Sequence, residues 1–148
     1  MKVLKCSIGI TPLGIKINEI EEIIETMLYN EFAGQSKYTI GFINYRGREV
    51  QLLNLAKILK SKYKADYEDQ FILILKNKPF GLVVDSIKNI DEIEITNLVD
   101  PELTFPNYDF IDKVFIKDNF PIYETDKIVG RLGNKDEKKR RKIKKKNS

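Results

Sequence analysis

Residues 41–59, Gly-Phe-Ile-Asn-Tyr-Arg-Gly-Arg-Glu-Val-Gln-Leu-Leu-Asn-Leu-Ala-Lys-Ile-Leu, are the stretch of the chain that decides its fold. Segments 41–45 and 48–53 are rich in side chains that favour a pleated, half-buried surface. Between them, Arg46-Gly47 predicts a tight turn, because glycine takes the positive φ that such a reversal demands. Asn54 then stands where a helix N-cap would begin a short helix. The stretch therefore predicts a β-hairpin with an arginine at its tip, followed by that helix.

Short apolar segments separated by turns recur along the rest of the chain. Strands are predicted at 2–8, 14–17, 71–75 and 80–85, with a continuing apolar pattern over 87–95, a last hairpin over 110–123 and a closing helical turn at 127–129. Turns or loops are predicted at 9–14, 30–37 and 98–107, and a charged connection at 60–69. Many short strands at this spacing are typical of an all-β barrel or sandwich.

One segment between the first strands and the hairpin shows a different period. Isoleucine, methionine and leucine fall at helical spacing over 17–28, with glutamates between them. Asn18 is placed to cap a helix there, and early acidic residues suit the positive end of a helix dipole. The pattern predicts a short amphipathic helix, although the β-branched isoleucines leave an irregular strand as the alternative.

Length and composition bound the class of protein. The 148 residues are 42% apolar and 32% charged, as expected of one soluble globular domain. No apolar run is long enough to cross a bilayer, and the N-terminus lacks the apolar core of a signal peptide, so we expect a cytoplasmic location without membrane insertion. Cys6 is the one cysteine and the chain has no histidine, which excludes an internal disulfide and a Cys–His zinc site.

The positive net charge belongs to the end of the chain. Segment 135–148 holds nine Lys/Arg against two acids, which leaves 17 basic and 20 acidic residues in 1–134. We expect the tail to be disordered and solubilising, because the mildly acidic body has no nucleic-acid footprint. The alternative is a small β-barrel protein that binds nucleic acid through this tail.

Enzymatic chemistry finds little support in the residues. Without histidine, the chain has no Ser-His or Cys-His nucleophile pair and no imidazole base. It has no Gly-rich phosphate loop followed by Lys-Ser/Thr, and its acidic cluster at 91–94 is typical of the solvated face of a strand. We therefore predict a protein that is not an enzyme and that holds no metal or cofactor.

The hairpin resembles the signature of the bacterial chemotaxis coupling (CheW) family, which runs roughly G-V-I-N-L-R-G before an apolar strand and a short helix. Segment 41–47 agrees with that signature at five positions, Gly41, Ile43, Asn44, Arg46 and Gly47. Two further blocks follow the family's order. Segments 14–17 and 20–23 are similar to its G-I-x-I-x-x-V-x-E-I block, and 81–87 is similar to its G-x-x-V-D-x-V strand. The resemblance covers about residues 2–130.

The resemblance implies a fold and a function. The fold is two small five-stranded SH3-like β-barrels packed together, with short helices. They would form one domain over 1–134, with the changeover near 60–70 and the tail 135–148 outside it. The function is that of a non-catalytic adaptor that joins chemoreceptor cytoplasmic tips to the regulatory domain of a CheA-type histidine kinase.

Receptor contacts in the family lie in a groove between the barrels. Carried over to matching positions, they fall on Ile20, Glu22, Gly41, Arg46, Val84 and Asp85. Four other positions depart from the family pattern, namely Tyr45 for leucine, Gln51 for proline, Asn54 for aspartate and Asp112 for glycine. The departures at Gln51 and Asn54 permit a diverged paralogue that serves a different kinase.

Each candidate residue also has a simpler structural interpretation. Arg46 could bind a partner carboxylate bidentately, or it could pair with Glu22 and tie down its own turn, and the two roles are compatible. Gly41 and Gly47 are explained by backbone requirements, with Gly47 as the structural turn residue. Asp85, at a strand end, is more typical of a turn or cap acceptor than of a functional acid.

Overall fold

Eleven β-strands form two sheets in the computed structural model, which describes residues 1–25, 38–60 and 70–130. The strands are β1 (Lys2–Ile8), β2 (Thr11–Lys16), β3 (Ile20–Glu25), β4 (Thr39–Tyr45), β5 (Arg48–Leu53), β6 (Phe71–Leu75), β7 (Phe80–Val84), β8 (Ser86–Glu92), β9 (Leu98–Val99), β10 (Ile111–Phe115) and β11 (Phe120–Tyr123). Helix α1 is Leu55–Ile58, and residues 125–130 form α2. Short 3-10 helices are Ile17–Glu19, Ile95–Asn97 and Tyr108–Phe110.

The two sheets have six and five strands. Their strand orders are β8-β1-β2-β11-β10-β9 and β3-β6-β7-β5-β4. Neighbouring strands are antiparallel except for the pairs β2–β11 and β5–β7, which are parallel. Within the described residues, no hydrogen-bonded ladder joins the outermost strands of either sheet. The mostly-β fold with short helices is therefore confirmed, and two closed five-stranded barrels are not.

The division of the chain between the sheets follows their topology. Strands β3 to β7 form the five-stranded sheet, and the strands before and after them form the six-stranded sheet. The predicted changeover near 60–70 falls mostly on 61–69, outside the described residues, and β5 and β6 on either side of it share one sheet. The tail 135–148 and the predicted loop 30–37 also lie outside the described residues.

The β-hairpin predicted over 41–53 is present. Strands β4 and β5 pair from Thr39↔Leu53 to Tyr45↔Arg48, so two residues form the turn. Arg46 and Gly47 have φ angles of 48° and 79°, which matches the turn type whose twist suits a two-residue hairpin. The side chain of Asn54 caps α1 by accepting from the backbone N–H of Lys57 at 3.3 Å.

The predicted amphipathic helix over 17–28 is wrong. The chain forms one 3-10 turn and then β3, which pairs with the apolar run of β6, while 26–28 lie outside the described residues. A register shift between Ile20 and Glu22 breaks the period of two, which made the isoleucine spacing resemble that of a helix. Isoleucine favours a strand because its branched side chain loses rotamer freedom in a helix.

Three smaller predictions change in their bounds. Strand β2 begins at Thr11, so the predicted turn 9–14 shortens, and Pro12 lies within the strand. The predicted loop 98–107 begins with the two-residue strand β9. The closing helical turn begins at Thr125 rather than at residue 127.

The buried apolar side chains form three clusters. One cluster takes side chains from both sheets and both helices, including Leu4, Leu73, Leu55 and Ile128. A second lies on the other face of the five-stranded sheet, and a third lies on the other face of the six-stranded sheet. We call the first the shared core, because it is the cluster that joins the two sheets.

Gly14 is closely packed within the six-stranded sheet. A Cβ at this position would lie 2.9 Å from Val3 Cγ1 and 3.2 Å from both Phe120 Cε1 and the Pro121 carbonyl oxygen. Gly14 faces Ile122 in the parallel pairing of β2 with β11. The backbone there leaves no room for a side chain.

We expect Gly14→Ala to lower the free energy of unfolding by about 1–3 kcal/mol, because overpacking forces neighbouring backbone to shift. Gly130→Ala is the matched control, since no atom of the described residues lies within 4 Å of a Cβ at that position. Urea unfolding of both variants measures the difference. Equal stability of the two variants would contradict the close approach.

Candidate partner-binding site

The tip of the β4–β5 hairpin lies against the start of β3. The Tyr45 hydroxyl donates a hydrogen bond to the Glu22 carboxylate, and Arg46 Nη2 lies 3.7 Å from Glu22 Oε2. Strands β3 and β4 are the opposite edges of the five-stranded sheet. The sheet therefore curls until its two edges come within side-chain reach at this end.

A second ion pair lies beside the first. Arg48 Nη2 is 2.8 Å from Glu21 Oε2. The guanidinium carbons of Arg46 and Arg48 lie 5.3 and 5.7 Å from the centre of the Tyr45 ring, within cation–π range. We call Glu21, Glu22, Tyr45, Arg46 and Arg48 the hairpin-tip cluster. It joins two arginines and two glutamates around one aromatic ring.

The cluster leaves one cation accessible to a partner. The Arg46 side chain is 73% exposed and that of Glu22 is 39% exposed. An exposed ion pair of this kind contributes only about 0–1 kcal/mol, so Arg46 can exchange Glu22 for another carboxylate at little cost. The Glu22 pairing that the sequence suggested is present, and it leaves most of the guanidinium open to solvent.

The Glu22 carboxylate affects the pKa of the Tyr45 phenol. Its hydrogen bond to Glu22 is the largest influence, and together with burial it raises the pKa of the phenol above the ordinary value of 10.0. The neutral phenol is the form that donates this hydrogen bond. The interaction is therefore fully present below the ordinary pKa and is lost as pH rises through the raised one.

The other carried-over positions are placed differently. Ile20 and Val84 belong to the shared core, and Val84 is 0% exposed. Gly41 is buried in β4 opposite Leu52. All three residues can shape the backbone around a site. The side chains of Ile20 and Val84 are not on its surface, and Gly41 has none.

The pairing of strands also separates the candidates along the sheet. Gly41, Leu52, Gly81, Ile74 and Glu22 follow one another across the sheet as successive partners. Val84 lies three residues further along β7 than Gly81, a distance of roughly 10 Å at the rise of a strand. The structure therefore brings Glu22 and Arg46 together and leaves Val84 and Asp85 towards the other end of β7.

Asp85 ties the two sheets together. Its carboxylate accepts from the Gly9 backbone N–H at 2.6 Å and from Gln70 Nε2 at 3.2 Å. Its own N–H donates to the Ser7 carbonyl at 2.9 Å. Asp85 stands between β7 of one sheet and β8 of the other, and Gly9 turns with φ of 57° between β1 and β2. The acceptor role expected of a strand-end aspartate is confirmed.

Two features of the structure escaped the sequence analysis. Tyr45 was noted as a departure from the family pattern, but its link to Glu22 and both arginines depends on the curl of the sheet. The other is Lys5, which is 7% exposed and lies on the opposite face of β1 from Leu4 and Cys6. Strand alternation places Lys5 on the face opposite Leu4 and Cys6, where a lysine is ordinarily solvated, so no local pattern marks it as enclosed.

Lys5 forms a second charged cluster, inside the six-stranded sheet. Its ammonium lies 3.0 Å from Asp91 and 3.3 Å from Asp118, and 4.7 and 5.4 Å from the ring centres of Phe120 and Phe115. Burial lowers the pKa of this amine, but the hydrogen bonds to the two carboxylates outweigh burial and raise it. The cluster fastens β1 to β8 and to the β10–β11 turn.

Three other features were sought in the described residues, namely a metal site, a reactive thiol and a membrane-spanning helix. They contain no group of three or more Cys, Asp or Glu side chains arranged to hold a metal ion. Burial raises the pKa of the Cys6 thiol to about 12, which makes it a poor nucleophile. In the same part of the chain, no helix is long and apolar enough to cross a membrane.

We expect Tyr45 to ionise at higher pH than an ordinary tyrosine, and Glu22→Gln to lower its pKa because the charged acceptor is lost. Ultraviolet titration of the protein, minus the same titration of Tyr45→Phe, isolates this phenol among the seven tyrosines. Glu49→Gln, on the adjacent hairpin strand, is the matched control. An unchanged Tyr45 curve in Glu22→Gln would contradict the contact.

Comparison with known proteins identifies the family of this chain. The sequence model of the CheW-like domain matches residues 2–130. The crystal structure of the scaffolding protein TtCheW from Thermoanaerobacter tengcongensis is similar, with a TM-score of 0.72 and 20% identity over 82% of this chain and 81% of that chain. No curated protein matches the sequence. The chain belongs to the CheW-like domain family.

Proposed function

We propose that this chain is a non-catalytic adaptor of bacterial chemotaxis that couples chemoreceptor cytoplasmic tips to the regulatory domain of a CheA-type histidine kinase. Membership of the CheW-like family over residues 2–130 supports the proposal. The observation that carries it is an accessible arginine at the tip of a two-residue hairpin turn, in contact with Tyr45 and Glu22 of the hairpin-tip cluster.

The proposed receptor contact uses charge that is already oriented. Arg46 sits over the Tyr45 ring and beside Glu22, so its guanidinium loses little freedom when a partner carboxylate arrives. A guanidinium binds a carboxylate with two parallel hydrogen bonds, which fixes the geometry of the pair. Glu22 can remain as the second ligand of the arginine or turn to a basic group of the receptor.

The remaining candidates act in this proposal as supports. Ile20 and Val84 fill the shared core beneath the proposed groove, and Gly41 keeps β4 close to β5. Asp85 holds the β1–β2 turn against the end of β7. Their effect on receptor binding would come through the position of the backbone rather than through direct contact.

The finer architecture belongs to the same proposal. We propose that each sheet, together with the side chains on its concave face, corresponds to one SH3-like barrel within a domain over 1–134. The approach of β3 to β4 through the hairpin-tip cluster supports this for the five-stranded sheet. The protein would act in the cytoplasm, where both proposed partners present their binding domains.

The direct experiment is a two-partner binding assay. The purified chain, shown to be folded by circular dichroism, is immobilised and presented with the regulatory domain of the organism's CheA and with a receptor cytoplasmic fragment. We expect it to retain both, separately and together. Failure to retain either partner would overturn the proposal.

We expect Arg46→Ala to weaken receptor binding by roughly ten- to a hundredfold, because a lost charge-assisted hydrogen bond costs about 1.5–3 kcal/mol. The kinase regulatory domain should bind as before. Calorimetric titration with each partner measures the two affinities.

Lys88→Ala is the control for that experiment, because it removes one exposed positive charge from the six-stranded sheet. It should leave both affinities unchanged. An equal loss in both variants would show an effect of net charge alone. A large fall in the melting temperature of Arg46→Ala would instead show that the arginine is mainly structural.

A further inference from the structure

A surface cavity of about 650 Å³ lies beside the edge of the six-stranded sheet, and the proposed function does not use it. The loop after β9 forms most of its wall, and β10 and the β10–β11 turn complete it. Its apolar lining comes from Val99, Pro101, Phe105, Pro106 and Val114. None of the residues that line it belongs to the hairpin-tip cluster.

The charge around this cavity is negative. Asp100 and Glu102 are the two charged residues that line it. Lys113 pairs with Asp100, whereas Glu102 has no ion pair among the described residues. Segment 96–120, which contains the lining, has five carboxylates and two lysines. Asp112 and Asp118 of this segment pair with Lys16 and Lys5, which lie outside it.

Apolar side chains around the rim are also exposed. Val99, which lines the cavity, is 45% exposed, and Leu103 in the same loop is 80% exposed. Covering a large apolar side chain is favourable by about 25 cal/mol for each Å² removed from water. The cavity thus combines an apolar wall with two carboxylates, of which Glu102 has no ion pair among the described residues, and no cationic side chain lines it. This combination suits a cationic segment that carries an apolar side chain.

The end of the same chain has this composition. Segment 138–146, Lys-Lys-Arg-Arg-Lys-Ile-Lys-Lys-Lys, has eight cationic side chains and one apolar one, Ile143. We propose that this segment binds in the cavity of its own molecule. Ile143 lies against the apolar wall, and the flanking cationic side chains face Asp100 and Glu102.

The length of the chain allows this contact. Asn119 lines the cavity, and β11 and α2 lead from it to Gly130. At about 3.4 Å per strand residue and 1.5 Å per helical residue, Gly130 lies at most about 26 Å from Asn119. The thirteen residues from Gly130 to Ile143 can span more than about 40 Å when extended. The segment is therefore long enough to reach the cavity of its own molecule.

The test compares backbone amide spectra of the full chain with those of a chain truncated after Asn134. We expect truncation to shift the amide signals of Val99, Leu103, Phe105 and Asn119. Raising the salt from about 0.1 to 1 M should shrink the difference between the two chains, since the Debye length falls from about 10 to 3 Å. A synthetic peptide of residues 135–148 should restore the original signals of the truncated chain.

Two variants separate the apolar contact from charge alone. Ile143→Ser keeps every charge of the tail and should reproduce at least half of the shift caused by truncation. Asp100→Asn with Glu102→Gln should do the same from the other side. Glu25→Gln with Glu49→Gln is the matched control, because it removes two exposed carboxylates from the five-stranded sheet and should leave the cavity signals in place.

Three results would overturn the inference. Truncation could shift only signals adjacent to Gly130, or Ile143→Ser could leave the cavity signals unchanged. The shifts could also depend on protein concentration, which would place the tail in a second copy. The measurement needs neither receptor nor kinase, so its outcome is independent of the proposed coupling function.

Discussion

The shared core is the constraint on which the rest of the molecule depends. Strand β6 shows how it operates, because Leu73 and Leu75 enter the shared core while Ile72 and Ile74 face the cluster of their own sheet. Each such buried side chain contributes about 1.5–3 kcal/mol relative to exposure. Strand β6 is buried on both faces and pairs with β3 on one side and β7 on the other. The position of β3, and with it Glu22, follows from that pairing.

The curl of the five-stranded sheet then creates the candidate site. Glu22 and Arg46 stand on its opposite edges and meet because twisted strands bend the sheet around the apolar cluster on its inner face. The ion pairs at the tip contribute little beside the core, about 0–1 kcal/mol for each exposed pair. The core therefore holds the backbone in place, and the charges at the tip stay free to respond to a partner. This separation of roles suits an adaptor, whose surface must exchange contacts without unfolding.

How much of this was predictable depended on the range of the interactions. The β4–β5 hairpin and the Asn54 cap followed from neighbouring residues, since turn and cap preferences act over two to four positions. Strand β3 was missed because a bulge after Ile20 gave its isoleucines a helical spacing. Val84 and Ile20 matched the family's groove in sequence, yet their side chains are in the shared core. Only the packing of one sheet on the other could show that burial.

The sequence by itself determined the hairpin, the family, the absence of histidine chemistry and the concentration of positive charge at the end of the chain. Each of these is a property of residue type or of local spacing. The tertiary structure alone decided that Glu22 reaches Tyr45 and Arg46, that Asp85 fastens the β1–β2 turn, and that Lys5 is enclosed by two carboxylates and two aromatic rings. Those contacts join residues from 23 to 115 positions apart. Their formation depends on where the sheets curl and pack, which no local pattern specifies.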